Sequence, residues 1–147
     1  MDVTKLPFNH LIGIELADPG SGFLVSLPDD VRYTNHLGTV HASALFAVAE
    51  AASGLFLLRH FGAEAGLVPV VRRVEAKFRK PGQGRVSARA QVAPEEVSRW
   101  SAELARRGRV VAAVPIEVVG SDGEIAVSAT IEWFIARSAG GAAEPSS

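Results

Sequence analysis

Residues 42–58, ASALFAVAEAASGLFLL, form the longest apolar run of the chain. Glu50 is the one charged residue of the run, and every other position holds Ala, Ser, Gly, Val, Leu or Phe. An ionised carboxylate that is buried without a partner strongly opposes folding, so a Glu in this setting indicates a functional site. The alternative is a Glu that faces water between small residues. We interpret the run as the location of the site.

The same run predicts one helix with two different faces, because successive residues turn by about 100°. One face is a bulky stripe suited to packing on a sheet, formed by Leu45, Val48, Ala52, Leu55 and Phe56. Glu50 lies on the opposite face, among the small residues Ser43, Ala47, Ser53 and Gly54. A helix that is apolar or small on all sides is typical of burial on both sides. We therefore expect its own sheet on one face and a partner subunit or a ligand on the other.

Composition limits the class of protein. The 147 residues fit one domain, and a net charge of −1 gives no field that would attract nucleic acid or an anionic membrane. The absence of Cys excludes disulfides, thiolate catalysis and Cys-ligated zinc, and it agrees with a cytoplasmic protein. Residues 1–8 lack the apolar core of a signal peptide, and the 42–58 run is shorter than the ~20 residues of a membrane span. We expect neither secretion nor membrane insertion.

Short β-prone segments surround the helix. Leu11–Leu16 and Phe23–Leu27 predict a first hairpin around the turn Asp18-Pro19-Gly20. After the helix, residues 70–78 alternate between apolar and charged side chains, which predicts a half-buried strand. Arg72 falls on the apolar side of this alternation, so it either lies at a strand end or faces the site.

Three further strands are predicted toward the C-terminus: Arg85–Val92, Arg109–Val119 and Ile125–Ala136, the last two joined by a hairpin at residues 120–123. Residues 94–107 are ambiguous. Pro94-Glu95-Glu96 is typical of a helix start, but alternation at Ser98, Trp100, Ala102 and Leu104 favours a strand for the second half.

The predicted order is therefore a hairpin, a long helix and four antiparallel strands. Residues 1–137 would form a single domain, and residues 138–147, made of Gly, Ala, Ser and Pro with one Glu, a disordered tail.

The segment Asn35-His36-Leu37-Gly38-Thr39-Val40-His41, followed by the helix with Glu50, resembles the signature of hotdog-fold acyl-CoA thioesterases of the phenylacetate-pathway (PaaI-like) type. Pro7-Phe8, Pro28 and Phe78-Arg79-Lys80-Pro81 extend the similarity over most of the chain. The resemblance implies an α+β hotdog fold, with a long central helix wrapped by a five- to six-stranded antiparallel sheet. It also implies a homodimer, or a dimer of dimers, with two sites at the subunit interface.

The resemblance further implies site residues and an activity. Glu50 corresponds to the catalytic carboxylate, which attacks the thioester carbonyl or activates a water. Ala42 holds the position whose backbone N–H polarises that carbonyl, in agreement with the unpaired donors at a helix start. Asn35 and His41 correspond to polar residues beside the thioester, although His41 could equally be structural. Ala42-Ser43 replaces the usual Gly-Gly, which adds a Cβ and a hydroxyl beside the substrate.

Substrate contacts are expected from Gly38, Ser53 and Gly54 near the carboxylate. Arg79 and Lys80 could bind the phosphates of coenzyme A, or they could be ordinary surface charges. The chain has no Cys and no pair of His residues at helical spacing, so no metal site is predicted, and no cofactor is expected. The predicted function is hydrolysis of an acyl- or aryl-CoA thioester. The alternatives are an acyl-CoA-binding protein without catalysis and, through His41 and Glu50 as acid and base, a hydroxyacyl hydratase or dehydratase.

Overall fold

The computed structural model describes residues 1–138. This part of the chain forms three α-helices and six β-strands, in the order α1 (Pro7–Ile12), β1 (Glu15–Leu16), β2 (Val25–Leu27), α2 (Ala42–Phe61), β3 (Leu67–Phe78), β4 (Val86–Ala90), α3 (Pro94–Arg107), β5 (Arg109–Val119) and β6 (Ile125–Arg137). Short 3-10 helices cover Val3–Lys5 and Val31–Tyr33. The tail predicted as disordered lies outside the described residues from residue 139 onward.

All six strands belong to one antiparallel sheet in the order β1-β2-β4-β5-β6-β3. Helix α2 packs against β2, β4, β5 and β6, in the middle of this order. The predicted α+β hotdog architecture, a long helix wrapped by a five- to six-stranded antiparallel sheet, is confirmed with six strands.

Four of the five residues of the bulky stripe of α2 lie in the core, as the spacing predicts, and the fifth, Phe56, is partly buried against it. Leu45, Val48, Ala52 and Leu55 are all at most 5% exposed. On the sheet side, alternate residues of β5 are buried in the same way, from Val110 through Val118. Full burial of one such aliphatic side chain contributes about 1.5–3 kcal/mol, so this contact is a main source of stability.

By length and composition alone, α2 could cross a membrane, because it has 20 mostly apolar residues and extends beyond the predicted 42–58 run. The same properties are typical of a central helix under a sheet. In the structure ten residues of α2 are buried, including Phe61 in its last turn.

The first half of the predicted strand Leu11–Leu16 is wrong, because residues 7–12 form helix α1. Pro7 occupies the first helical turn, where its missing N–H is not needed. Gly13 ends the helix with φ +82°, a left-handed conformation that favours glycine. The predicted hairpin is therefore reduced to β1 and β2, with Glu15 opposite Ser26.

The strand predicted for the second half of residues 94–107 is also wrong, since the whole segment is helix α3. Trp100 and Leu104, four residues apart, are the buried residues of α3. This spacing fits one helical face as well as it fits alternate positions of a strand. Ala102, which a strand would place beside them, is exposed. Gly108 then ends the helix at φ +72°.

Strand β3 is a sheet edge, and it is much more exposed than the predicted half-buried strand. Apart from the partly buried Leu67, every residue of β3 is exposed in the single chain. The pairing with β6 shifts register between Val71 and Arg73. Arg72 is therefore an extra residue at a bulge, with Nε 3.3 Å from Glu132 Oε2. The bulge explains why Arg72 broke the apolar alternation.

Trp100 provides a test of the α3 packing. Its side chain is fully buried, and its indole Nε1 has no hydrogen-bond partner among the described residues. We expect Trp100→Ala to lower the free energy of unfolding by about 3–5 kcal/mol, measured by urea denaturation. Trp100→Phe should lower the free energy of unfolding much less, because it keeps an aromatic ring in the core and removes an unpaired N–H donor. Equal losses in both variants would contradict this packing.

Candidate active site

Residues 34–41 form the loop that leads into α2, and Asn35 organises it. Its Oδ1 accepts hydrogen bonds from the backbone N–H groups of Leu37 (2.9 Å) and Thr39 (3.2 Å). Its Nδ2 donates to Thr39 Oγ1 at 3.0 Å. Gly38 completes the turn at φ +77°. In this structure the Asn35 amide thus shapes the loop, and its role toward a thioester stays a prediction.

His41 caps α2, and Ala42 is the first helical residue. His41 Nδ1 accepts a hydrogen bond from the Ser43 N–H at 3.0 Å. A neutral imidazole in this arrangement carries its proton on Nε2, which can donate to a ligand. The Ala42 N–H has no hydrogen-bond partner among the described residues. Because it lies at the positive end of the helix dipole, it can stabilise an oxyanion.

Glu50 lies in the middle of α2, on a helix face that it shares with Ser43, Ala47 and Gly54 through spacings of three or four residues. Its side chain is partly buried, and no described residue gives it a side-chain hydrogen bond or an ion pair. Burial raises the pKa of the Glu50 carboxyl above its ordinary value. An unpaired carboxylate with a raised pKa can act as a base or a nucleophile.

The free N–H of Ala42 and the carboxylate of Glu50 are far apart within one chain. Eight residues of helix separate them, which corresponds to about 12 Å along the helix axis. A thioester carbonyl is too small to contact both groups. One chain alone therefore does not bring the predicted oxyanion donor and the predicted base together.

Ser53 connects the Glu50 turn to the sheet. Its hydroxyl donates to the Glu50 backbone carbonyl at 2.7 Å and accepts from the Trp133 indole N–H at 2.9 Å. Ser53 is fully buried, so its hydroxyl serves these two bonds in the structure. Gly54 follows, and a Cβ placed there would lie 3.5 Å and 3.6 Å from ring carbons of Trp133.

The sequence patterns did not single out Trp133. Alternation in the predicted last strand places it on the same face as Ile131 and Ile135, which are at most 2% exposed. A Trp on such a face needs a partner for its indole N–H. That requirement is the signal that could have drawn attention to Trp133.

Two cavities lie along the Glu50 face of α2. The first, about 450 Å³, lies between α1 and the start of α2, and its lining includes Phe8, Leu11, Arg32, His41, Ser43 and Ala47. The second, about 420 Å³, lies at the C-terminal half of α2, and its lining includes Val3, Gly54, Leu57, Phe61, Leu67 and Trp133. Glu50 lies between the helix turns that line these two cavities.

Arg79 and Lys80 lie beyond the end of β3, away from these cavities, and both have partners. Arg79 Nε donates to Ser128 Oγ at 2.7 Å. Lys80 Nζ lies 2.7 Å from Glu124 Oε2, and this hydrogen bond raises the pKa of Lys80. Together they border a depression of about 530 Å³. Their predicted role in phosphate binding stays a prediction.

No group of three His, Asp or Glu side chains within residues 1–138 could hold a metal ion.

The model of the DUF4442 family, described as a domain of unknown function, matches residues 4–135. The chain belongs to this family. No curated protein matches this DUF4442 chain in sequence.

Solved structures with similar folds are named as thioesterases. A Pseudomonas aeruginosa protein, PA5026, called a protein of unknown function and probable thioesterase, is 22% identical with a TM-score of 0.79, over 92% of this chain and 91% of that chain. The Haemophilus influenzae thioesterase HI1161 is 18% identical with a TM-score of 0.66, over 92% of this chain and 86% of that one.

The Bacillus halodurans protein BH2602, solved with CoA, is 22% identical with a TM-score of 0.65, over 87% of this chain and 74% of that chain. At these identities the matches show a common fold. They confirm the resemblance of this DUF4442 chain to hotdog-fold thioesterases.

The raised pKa of Glu50 makes stability depend on pH. The folded state binds the carboxyl proton more tightly than the unfolded state, so stability falls as pH rises from the ordinary Glu pKa to the raised one. We expect Glu50→Gln, which carries no charge, to unfold at a higher temperature than the parent near pH 7. The difference should shrink toward zero below the ordinary Glu pKa. A difference in melting temperature that does not change with pH would contradict the desolvation of Glu50.

Proposed function

We propose that the protein hydrolyses an acyl- or aryl-CoA thioester to the free acid and CoA, with Glu50 as the reactive carboxylate. The observation that carries the proposal is the partly buried Glu50 side chain without a partner among the described residues, in an apolar helix. In the general-base route, the carboxylate takes a proton from water while the water oxygen attacks the thioester carbonyl carbon. The C–S bond then breaks, and the proton passes to the departing CoA thiolate.

The alternative route starts with attack by the Glu50 carboxylate itself on the carbonyl carbon. It forms an acyl anhydride and releases the CoA thiolate, and water then cleaves the anhydride to restore Glu50. Both routes need ionised Glu50, and both place negative charge on the carbonyl oxygen. The free N–H of Ala42 and the Nε2 proton of His41 are suitable donors to that oxygen.

The ~12 Å separation of Ala42 and Glu50 along one helix supports a site made of two subunits. We propose that Glu50 of one subunit acts on a thioester held by the Ala42 N–H of the other. Two equivalent sites follow from a two-fold axis, because each subunit supplies one residue to each site.

Strand β3 is the surface proposed for the dimer. It offers an open edge of 12 residues that carries exposed Val68, Val70, Val74 and Phe78. Long apolar edge strands promote pairing with another chain. A second copy of β3 would extend the sheet and pair its open backbone edge, with these side chains beside those of the other copy on both faces of the sheet.

The names of the structural neighbours support the substrate class. Two are called thioesterases, one of them a probable one, and a third was solved with CoA. Arg79 and Lys80 remain candidates for contact with the CoA phosphates, although Lys80 would first have to leave Glu124.

The second candidate function is binding of acyl-CoA without hydrolysis. The observation in its favour is Ser43, whose exposed side chain adds bulk at the helix start, where the PaaI-like thioesterases have glycine. Measurement of both binding and hydrolysis separates the two candidate functions.

Complementation between two inactive variants tests the shared site. Glu50→Gln removes the base, and Ala42→Pro removes the N–H at the first helical position, where proline is tolerated. His41 already has the extended backbone, at ψ 141°, that a following proline requires. We expect each variant alone to lose at least about 10²-fold in kcat. A 1:1 mixture, unfolded and refolded together, should recover about a quarter of the parental activity, because half of the dimers contain one intact site.

Refolding each variant separately before mixing is the control, and it should recover nothing if dimers do not exchange. Loss of activity in both variants without recovery on joint refolding would show that one subunit holds the whole site. A Glu50→Gln variant as active as the parent would eliminate the thioesterase mechanism. If the parent binds acyl-CoA but hydrolyses none, the non-catalytic candidate is correct.

A charged substitution on β3 tests the proposed dimer surface. Val74→Lys places an ammonium group in the middle of β3, so we expect it to shift the protein from dimer to monomer in sedimentation velocity at micromolar concentration. Val31→Lys is the matched control, since Val31 is 83% exposed and lies outside the sheet. A parent protein that sediments as a monomer, or a Val74→Lys variant that stays dimeric, would exclude the β3 interface.

A further inference from the structure

The cavity at the C-terminal half of α2 has the chemistry of a hydrocarbon-binding site. Glu64 is the one charged side chain among its described lining residues, and its Oε2 lies 3.5 Å from Arg137 Nη2. Its size of about 420 Å³ lies within the range of small-molecule sites. The cavity beside the start of α2 is more polar, because Arg32, Thr34 and His41 border it.

Gly54 is the first residue of α2 after Glu50 that lines this cavity. Side chains on a helix lean toward its N-terminus, so the Glu50 carboxylate tilts away from Gly54 and leaves the next turn bare. Gly54 lies in the helix interior and needs no unusual backbone, since its φ is not positive. Glycine in such a position weakens a helix relative to alanine. A Cβ there would make only ordinary contacts with Trp133. Folding therefore gives no reason for the glycine, whereas an open passage does.

We propose that this cavity receives the unbranched hydrocarbon chain of the substrate acyl group, and that Gly54 determines which chain lengths enter. The proposal rests on the proposed thioesterase function and adds its substrate class. The carbonyl carbon lies at Glu50, and the chain runs past Gly54 along α2 toward Leu58 and Phe61. These residues lie about 12 Å and 16 Å beyond Glu50 along the helix axis, which matches an extended chain of roughly eight to twelve carbons.

Hydrolysis of acyl-CoAs from four to sixteen carbons gives the first test. The parent should prefer chains near ten carbons. Gly54→Leu should lower kcat/KM for decanoyl-CoA by at least about tenfold and leave butyryl-CoA within about twofold, because a short chain does not reach residue 54. Gly54→Ala should shift the preference to shorter chains while its melting temperature rises.

Two Ala→Leu variants serve as controls for the effect of added side-chain volume. Ala105→Leu adds the same side chain on the exposed face of α3 and should leave the chain-length profile unchanged. Ala44→Leu narrows the other cavity. A profile that changes in Ala44→Leu and not in Gly54→Leu would overturn the proposal, because the chain would then lie beside α1.

A binding test does not depend on hydrolysis. Trp133 borders the cavity and is one of two Trp residues. In Trp100→Phe it is the sole Trp, so excitation at about 295 nm avoids Tyr33 and selects it. Decanoate brominated at its terminal carbon should quench this emission, whereas brominated butyrate should not. Gly54→Leu in this background should abolish the quenching. If Trp100→Phe does not fold, the parent serves instead, with Trp100 as a constant background.

The two proposals fail in different ways. If the long brominated chain quenches Trp133 but no acyl-CoA is hydrolysed, the proposed hydrocarbon site is supported and the proposed thioesterase function is excluded. Hydrolysis with the same chain-length profile in Gly54→Leu, and no quenching of Trp133, would overturn the chain site and leave the thioesterase intact.

Discussion

The packing of the apolar helix α2 against the sheet is the interaction on which the rest of the structure depends. The bulky face finds its partner within the chain, because the sheet covers Leu45, Val48 and Leu55. The opposite face carries the small residues Ser43, Ala47 and Gly54 around Glu50, and the described part of the chain offers that carboxylate no partner. Apolar packing therefore stabilises one side of the helix, while the other side carries a desolvated acid that opposes folding. The proposed second subunit and substrate are the two components that could complete this side.

A chain of hydrogen bonds runs from Trp133 through Ser53 to the Glu50 backbone. Two hydrogen bonds join the middle of β6 to the helix turn that carries the carboxylate. Both bonds are partly buried and meet at the fully buried Ser53 hydroxyl, where an unpaired partner would be costly. The turn is therefore held by the sheet, which is the support that the proposed role of Glu50 requires. The same Trp133 ring then forms a wall beside Gly54.

The sequence was sufficient for the elements whose periodicity is unambiguous. The apolar run predicted α2 and its buried face. The turn at residues 120–123 predicted the two strands that it joins, β5 and β6, to within one residue at each end. Helix α3 was missed because Trp100 and Leu104 satisfy a helical face and a strand alternation equally well. The exposure of β3 was missed because it results from the position of β3 at the edge of the sheet. The alternation of residues within a strand does not indicate its position in the sheet. Likewise, the Ser53–Trp133 contact spans 80 residues, so no local pattern could indicate it.

The charge pattern of β3 bears on how two copies could align. Arg73, Glu75 and Lys77 alternate with apolar residues along this edge strand. When two identical strands pair antiparallel around a two-fold axis at Glu75, both glutamates meet each other and Arg73 meets Lys77, so like charges lie opposite. An axis at Val74 instead sets Arg73 of each copy against Glu75 of the other, and opposite charges on facing strands are favourable. Moving the axis by one residue, which shifts every pairing partner by two, would thus change attraction into repulsion, so the charges of β3 favour the register centred on Val74 over the one centred on Glu75.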